Sequence, residues 1–269
     1  MNFSKYYMLM VAAVAVSAFA MNYEIPQATV TPAIDGEVSA GEWADALVIN
    51  IVYPDIINAP NNGTLLQTAP TSADDLSMVW RIKWDAENLF IACEVKDDVV
   101  FWDTNPADGF NAGDTAQIGI NKLNDPANSA LPIHDLVADT VNSTGAAFFN
   151  RGDSWASAVI GGSIVSGGYV IEVAVKWADY SYVPAAGDKH GVVIIYPDVE
   201  TGGVVDGLIT DSGSGNWGSI FAVPYNWNTM TLVDVNGCGA NGRSEADFNA
   251  DCYVDIQDFA IIAANWTQE

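Results

Sequence analysis

Positive charge is scarce in this chain of 269 residues. Only 9 Lys and Arg stand against 34 Asp and Glu, a formal net charge of −25. A surface of that sign repels phosphate backbones and anionic lipid, which excludes nucleic acid as a partner. It suits metal cations and neutral ligands. Histidine is nearly absent. His134 and His190 lie far apart with no further ligand at metal spacing, and both read as structural. No Ser-His-Asp or Cys-His order is present, so nucleophilic hydrolysis has no sequence support. The Gly-rich stretch Asp211–Trp217 has no Lys and no following helix, which excludes a phosphate loop. Long apolar runs are confined to the N-terminus, so no membrane span is expected in the mature chain.

That N-terminal run has the order of an export signal. Lys5 precedes the apolar stretch Met8–Val16, and Ala18-Phe19-Ala20 fits an A-x-A cleavage site. Residues 1–20 are expected to be a signal peptide, and the mature protein to start at Met21 in a secreted or cell-surface location. Export permits disulfides. Cys238 and Cys252 are close in sequence and are expected to pair, whereas Cys93 alternates into a strand and reads as a buried thiol. Asn62, Asn142 and Asn265 fit the N-glycosylation pattern.

The body alternates with a period of two. Met78-Val-Trp80-Arg-Ile82-Lys-Trp84 puts Met, Trp and Ile on one face, with Arg81 and Lys83 on the other. Asp85-Ala-Glu-Asn88 is turn chemistry, so residues 77–96 are expected to form a hairpin. Tyr169–Trp177 is a further alternating strand, and 115–120, 192–196 and 230–235 are shorter candidates. No helical period precedes the C-terminus. Many short strands joined by Gly, Asn, Asp and Ser-rich loops predict an all-β fold, a two-sheet antiparallel β-sandwich with a small C-terminal calcium loop–helix segment.

That segment follows a Gly- and Asn-rich linker at 236–243. Asp247, Asn249, Asp251, Asp255 and Asp258 occupy loop positions 1, 3, 5, 9 and 12, and the Tyr253 carbonyl falls at position 7. Calcium prefers six to eight oxygen ligands, and this spacing supplies them. The alternative, an acidic surface turn, is less favoured. Asp255 is placed to cap a helix on which Phe259, Ile262, Ala263 and Trp266 share a face. Loop and helix together resemble one repeat of a type I dockerin over residues 244–269. The chain carries one such repeat, with Cys252 where the turn glycine usually stands. The resemblance implies calcium as cofactor and a cohesin-like or cell-surface partner.

A second acidic cluster, Asp97, Asp98, Asp103, Asp108 and Asp114, reads equally as another calcium site or as a solvated turn. Glu172 is the strand acid to consider for a glycoside hydrolase. No second acid accompanies it at i+2 or i+4, and it is expected to pair with a Lys or a hydroxyl. Aromatic rings on loops are free to stack on sugar C–H faces, and Trp102, Phe110, Trp155 and Trp217 meet that condition. Trp80, Trp84 and Trp177 belong to strands and are expected in the core, while Trp43 and Trp227 are open.

Read in order, the body carries Pro32-Ala-Ile34-Asp35-Gly36, Gly41-Glu42-Trp43, Trp84-Asp85 with Leu89-Phe90, Val95-Lys-Asp97, Asp114-Thr-Ala-Gln117-Ile118 and Gly168-Tyr-Val-Ile-Glu172-Val-Ala-Val-Lys-Trp177. This series resembles carbohydrate-binding module family 9 across residues 24–235. The resemblance implies a non-catalytic β-sandwich that clamps an oligosaccharide or polysaccharide between two aromatic rings. Its first clamp position falls on Asn111, with Phe110 one step earlier. Its second falls on Trp217, and its polar ligand on Gln117. A secreted glycoside hydrolase and a calcium-stabilised surface protein with no sugar site are the alternatives.

Overall fold

The computed structural model describes residues 22–52, 72–101, 114, 116–121, 133–141, 144–150, 158–198, 207–210, 228–235, 246 and 259–260. They form two sheets. The larger contains β1 (Asn22–Pro26), β5 (Ala116–Asn121), β6 (Ile133–Val141), β7 (Thr144–Asn150), β10 (Lys189–Asp198), β11 (Gly207–Thr210) and β12 (Asn228–Val233). Its order is β1-β12-β10-β5-β6-β7, with β11 also on β10. The smaller contains β2 (Leu47–Val52), β3 (Leu76–Trp84), β4 (Asn88–Asp97), β8 (Val159–Val165) and β9 (Gly168–Lys176), in the order β2-β3-β4-β9-β8. The pairs are antiparallel except β1 with β12, a parallel pair that the expected antiparallel sandwich did not include. A four-residue helix α1 (Ala40–Trp43) and a 3-10 turn (Trp177–Tyr180) precede β2 and follow β9.

The core fills the space between the sheets. Met78, Trp80, Ile82 and Trp84 from β3 meet Ile91, Cys93 and Val95 from β4, and Ile171, Val173 and Val175 from β9. Ala116, Ile118 and Ile120 of β5, Val192 and Ile194 of β10, and Met230 and Leu232 of β12 close it from the larger sheet. Each side chain of this size buried from water stabilises the fold by roughly 1.5–3 kcal/mol before entropy is counted. Cys93 is a free, buried thiol, and burial pushes its ionisation well above the ordinary range. Trp84 and Trp177 are buried as expected. The Trp84 indole donates to the carbonyls of Ile25 and Val233, both at 3.0 Å, which binds β1 and β12 to the smaller sheet.

Local chemistry sets the turns. Asp85 Oδ1 accepts the amides of Glu87 and Asn88 at 2.8 and 2.7 Å, so the β3–β4 hairpin turns where Asp-Ala-Glu-Asn predicts. Between β8 and β9 the chain passes through Gly167 and Gly168 at positive φ. A Cβ on Gly168 would lie 1.9 Å from the Val95 carbonyl oxygen, so no other residue fits there. Among the described residues, no helix is long and apolar enough to cross a membrane.

Candidate functional site

The conspicuous polar residues of the smaller sheet build a cover for its outer face. Residues 28–46 run across that face. Trp43 packs with Phe90, Ala92 and Ala174 there, and Ala28, Ile34, Val38 and Ala46 pack against them. Helix α1 is a single turn, closed by the Ser39 carbonyl accepting the Glu42 and Trp43 amides, and it delivers the indole inward. Glu172, on β9, is fully buried. Its Oε2 accepts the amides of Asp35 at 3.0 Å and Gly36 at 2.8 Å, and its Oε1 accepts the Trp43 indole N–H at 2.8 Å. These partners correct the expected Lys or hydroxyl. The reason is backbone proximity. A Cβ at Gly36 or at Gly161 would approach the facing backbone to 2.7 Å, so only a pair of glycines lets the 34–36 segment come this close. Desolvation raises the Glu172 carboxyl above its ordinary value, against the lowering effect of the Gly36, Trp43 and Asp35 donors.

Lys83 is the opposite charge on the same face. Alternation puts it outside the core as expected, yet it is fully buried under the cover. Its Nζ donates to the Val30 carbonyl at 2.7 Å, the Glu42 carbonyl and Asp45 Oδ1 at 2.7 Å, and lies 5.3 Å from the Trp43 ring centre. Desolvation raises Asp45, but hydrogen bonds from Lys83 and Thr29 outweigh it and hold the carboxyl well below its ordinary value. Glu172 therefore has no surface for a substrate, and the hydrolase alternative loses its acid.

The outer face of the larger sheet is arranged differently. Ala116, Ile118 and Ile120 point into the core, and Gly119 and Asn121 on the other side of β5, with Val193 of β10, are buried as well. Gln117 pairs in register with Ile195 on one side and Val137 on the other. Ile195 in turn pairs with Thr210 across β10. Because Ile195 already faces β5 on one edge, β11 occupies the other edge, the one β12 also uses from Val192 back to Lys189. β11 and β12 thus share one lane. The chain leaves that lane at Thr210 and rejoins it at Asn228, opposite Val192. Adjacent strands lie about 4.8 Å apart, so Thr210 is about 10 Å from Gln117 along a single rung.

The β4–β5 connection leads into β5 just ahead of that rung. The Asp114 amide donates to the Phe101 carbonyl at 2.9 Å, and Asp114 Oδ2 accepts the Phe101 amide at 2.5 Å. Asp114 and Asp97 are buried, and Asp97 Oδ1 accepts the Val99 amide at 2.8 Å. These two carboxylates are therefore not parts of a solvated turn. Among the described residues, no group of three or more His, Cys, Asp or Glu is placed to hold a metal ion. Sequence reading missed the structural use of Asp114, whose only signal was its place just ahead of an alternating strand.

Most expected site residues lie outside the described residues. Trp102, Phe110 and Asn111 belong to the β4–β5 connection, Trp155 to the β7–β8 connection and Trp217 to the β11–β12 connection. The calcium-loop residues Asp247, Asn249, Asp251, Tyr253, Asp255 and Asp258, the pair Cys238 and Cys252, Asp103 and Asp108, and residues 1–20 also lie outside them. From the expected C-terminal helix, Phe259 and Ala260 are described. Both are helical and exposed, Phe259 at 66%.

The sequence profile of the family described as "Carbohydrate family 9 binding domain-like" matches residues 34–235. A family 9 carbohydrate binding module from Caldicellulosiruptor kristjanssonii, solved in complex with cellotriose, superposes with a TM-score of 0.59. It is 18% identical, and the match covers 83% of this chain and 95% of that one. A structure of a family 9 module from the same organism with glucose gives a TM-score of 0.57 at 19% identity, covering 82% and 97%. No curated protein matches the sequence.

Proposed function

The chain belongs to the carbohydrate family 9 binding domain-like family, and from that premise we propose that it is a secreted, non-catalytic carbohydrate-binding protein. The observation that supports this best is the rung Gln117–Ile195–Thr210. Gln117 is two strands from Thr210, after which the connection bearing Trp217 begins. The β4–β5 connection, which bears Phe110 and Asn111, leads into β5 at Ala116, and the β11–β12 connection follows Thr210. Trp217 is the leading stacking ring, Phe110 and Asn111 stand at the opposing clamp position, and Trp102 and Trp155 are secondary candidates. The family 9 modules solved with glucose and cellotriose make glucose-based chain ends the first ligands to try.

Stacking supplies most of the affinity in such a clamp, because sugar C–H faces are apolar and the ring excludes water from them. Calorimetry of the mature chain with cellotriose, alongside a glycan array, tests the reading. Trp217→Ala should weaken binding by roughly 1–3 kcal/mol. Unchanged affinity in a folded variant would reject that residue. Asn111 at a position where the family places a ring favours a second reading, a calcium-stabilised surface protein, and silence across the array would select it.

The C-terminal repeat is proposed to bind one calcium through Asp247, Asn249, Asp251, the Tyr253 carbonyl, Asp255 and Asp258. A segment so short buries too little to fold unaided, so metal and a Cys238–Cys252 bridge would order it together. Its proposed partner is a cohesin-like or cell-surface protein. Asp258→Ala should remove the calcium heat in calorimetry while the sandwich keeps its melting temperature. Calcium binding of unchanged affinity would sink the loop assignment.

A further inference from the structure

We propose that β8 is a dimerisation edge, to which a second copy of this chain adds its own β8 antiparallel, joining the two smaller sheets across a twofold axis. The inference does not depend on the carbohydrate reading. β8 ends its sheet, and among the described residues its ladder runs to β9 alone. A strand in that position offers a row of amides and carbonyls to any strand that can approach. Such edges are usually guarded by charge, proline or a bulge. Val159-Ile-Gly-Gly-Ser-Ile-Val165 has neither charge nor proline, and its pairing with β9 runs without a bulge from end to end.

The edge also leaves apolar surface in water. Val159, Ile164 and Val165 are 52%, 48% and 45% exposed. Ile164 pairs with Tyr169 as Ile160 pairs with Val173, and both of those partners face the core. Ile164 thus has the parity of a core residue, yet half of it is uncovered. The other end of this sheet differs. β2 is uncharged too, but its core-side Ile49 and Ile51 are already buried.

The occupant follows from the sequence of β8, which reads nearly alike in both directions about Gly162. Antiparallel pairing of two copies in that register sets Val159 against Val165, Ile160 against Ile164 and Gly161 against Ser163. Parity is kept, so isoleucines meet on the core side and valines on the outer side. β-branched residues make favourable cross-strand pairs, and a twofold contact requires a self-complementary patch. On the outer side, the 34–36 segment lies on Gly161 and Gly162, and the Ser163 hydroxyl donates to the Gly36 carbonyl at 2.6 Å. Gly161, Gly162 and Ser163 stay partly exposed beside it, so the edge remains open. One strand pair buries less than the roughly 1,600 Å² of a standard interface, and copies that each carry a net charge of −25 repel. The dimer is therefore weak, with a dissociation constant on the order of 100 μM.

Sedimentation velocity of the mature chain, in reductant and from about 5 to 500 μM, tests the proposal. A shift from monomer to dimer is expected, and it should tighten as salt screens the repulsion between copies. Two double variants, compared at high salt where net charge counts little, read the register. Val159→Glu with Val165→Glu sets like charges against each other and should weaken the dimer by about tenfold or more. Val159→Lys with Val165→Glu sets opposite charges against each other and should stay within about threefold of wild type. Both positions are exposed, so the variants should keep the wild-type melting temperature. Val48→Glu, on β2, should leave dimerisation within about twofold. A wild-type chain that stays monomeric throughout overturns the proposal. So does equal weakening in the two β8 variants, loss of the dimer in Val48→Glu, or a dimer that salt dissociates, since β8 has no ion pair to screen.

Discussion

The two outer faces of the sandwich are covered by different parts of the chain. On the five-stranded sheet, Glu172 and Lys83 are fully buried and every donor or acceptor they engage belongs to the chain itself. They fasten residues 28–46 over an apolar patch around Trp43. On the seven-stranded sheet, Gly119, Asn121 and Val193 are buried on the side away from the core, and Gln117 is in register with Ile195, which pairs with Thr210. The first face is closed by residues 28–46, and the second is the one beside which the proposed sugar site is sought. A buried charge with all its partners inside the fold is thus a sign of packing, even when its sequence setting looks like a site.

The strongest way to break this contrast is at Trp43. Trp43→Ala removes a buried ring and one of the three donors to a buried carboxylate, and should cost about 3–5 kcal/mol of stability. Urea unfolding checks the magnitude. Cellotriose affinity measured below the unfolding transition should stay near wild type, and a parallel loss would join the two faces functionally. Lys83→Met comes next. It strips the Val30 and Glu42 carbonyls of their donor and leaves Asp45 without its cation, but Asp45 is partly exposed and can be hydrated. A loss of roughly 2–4 kcal/mol is expected. Gly168→Ala sharpens the contrast from the backbone side. A Cβ there would overlap the Val95 carbonyl at a φ of 148°, so a loss of at least about 2 kcal/mol is expected by thermal unfolding.

Much of this fold is legible in the sequence, and the reasons differ by element. β3, β4 and β9 are legible because every second residue packs one core, although Phe90, Ala92 and Ala174 make the other face partly apolar too, and the Asp85 turn declares its own hairpin. β1, β2, β6, β7, β8 and β11 were not read as strands. β8 shows why. Val159–Val165 contains two glycines, and its pattern is set by the 34–36 segment lying on Gly161 and Gly162, a contact between residues far apart in sequence. Lys83 was placed on the outward face from its parity alone, and its burial depends on a cover that parity cannot show. The family signature was readable as a series, but its use was not. The Asp35-Gly36, Trp43 and Glu172 elements converge on one carboxylate, which only the folded chain brings together. The site residues on the connections were chosen for being outside strands, which is also why the described sheets place their anchors and not the rings.

The smallest expected effect concerns the charge on Glu172. Burial raises its carboxyl above the ordinary value, despite the Gly36, Trp43 and Asp35 donors that favour the anion. A group whose folded value lies above its unfolded one binds its proton more tightly in the folded state. Its contribution to stability is therefore full below the unfolded value and is lost as pH rises through the folded one. Asp45 behaves in the opposite sense. Held below its ordinary value, it contributes above that value and is lost only in stronger acid. Total stability hides both, because 34 acidic residues titrate together. The difference between wild type and Glu172→Gln isolates one group, since Gln does not titrate. Gln also turns an N–H toward the Trp43 indole, so the variant is weaker at every pH by about 1–3 kcal/mol. As pH falls from neutral toward 4.5, wild type should gain on the variant, and the gap in urea midpoints should widen. A gap that narrows on acidification would mean that the three donors outweigh burial, and that the cover is fastened by an anion which acid releases.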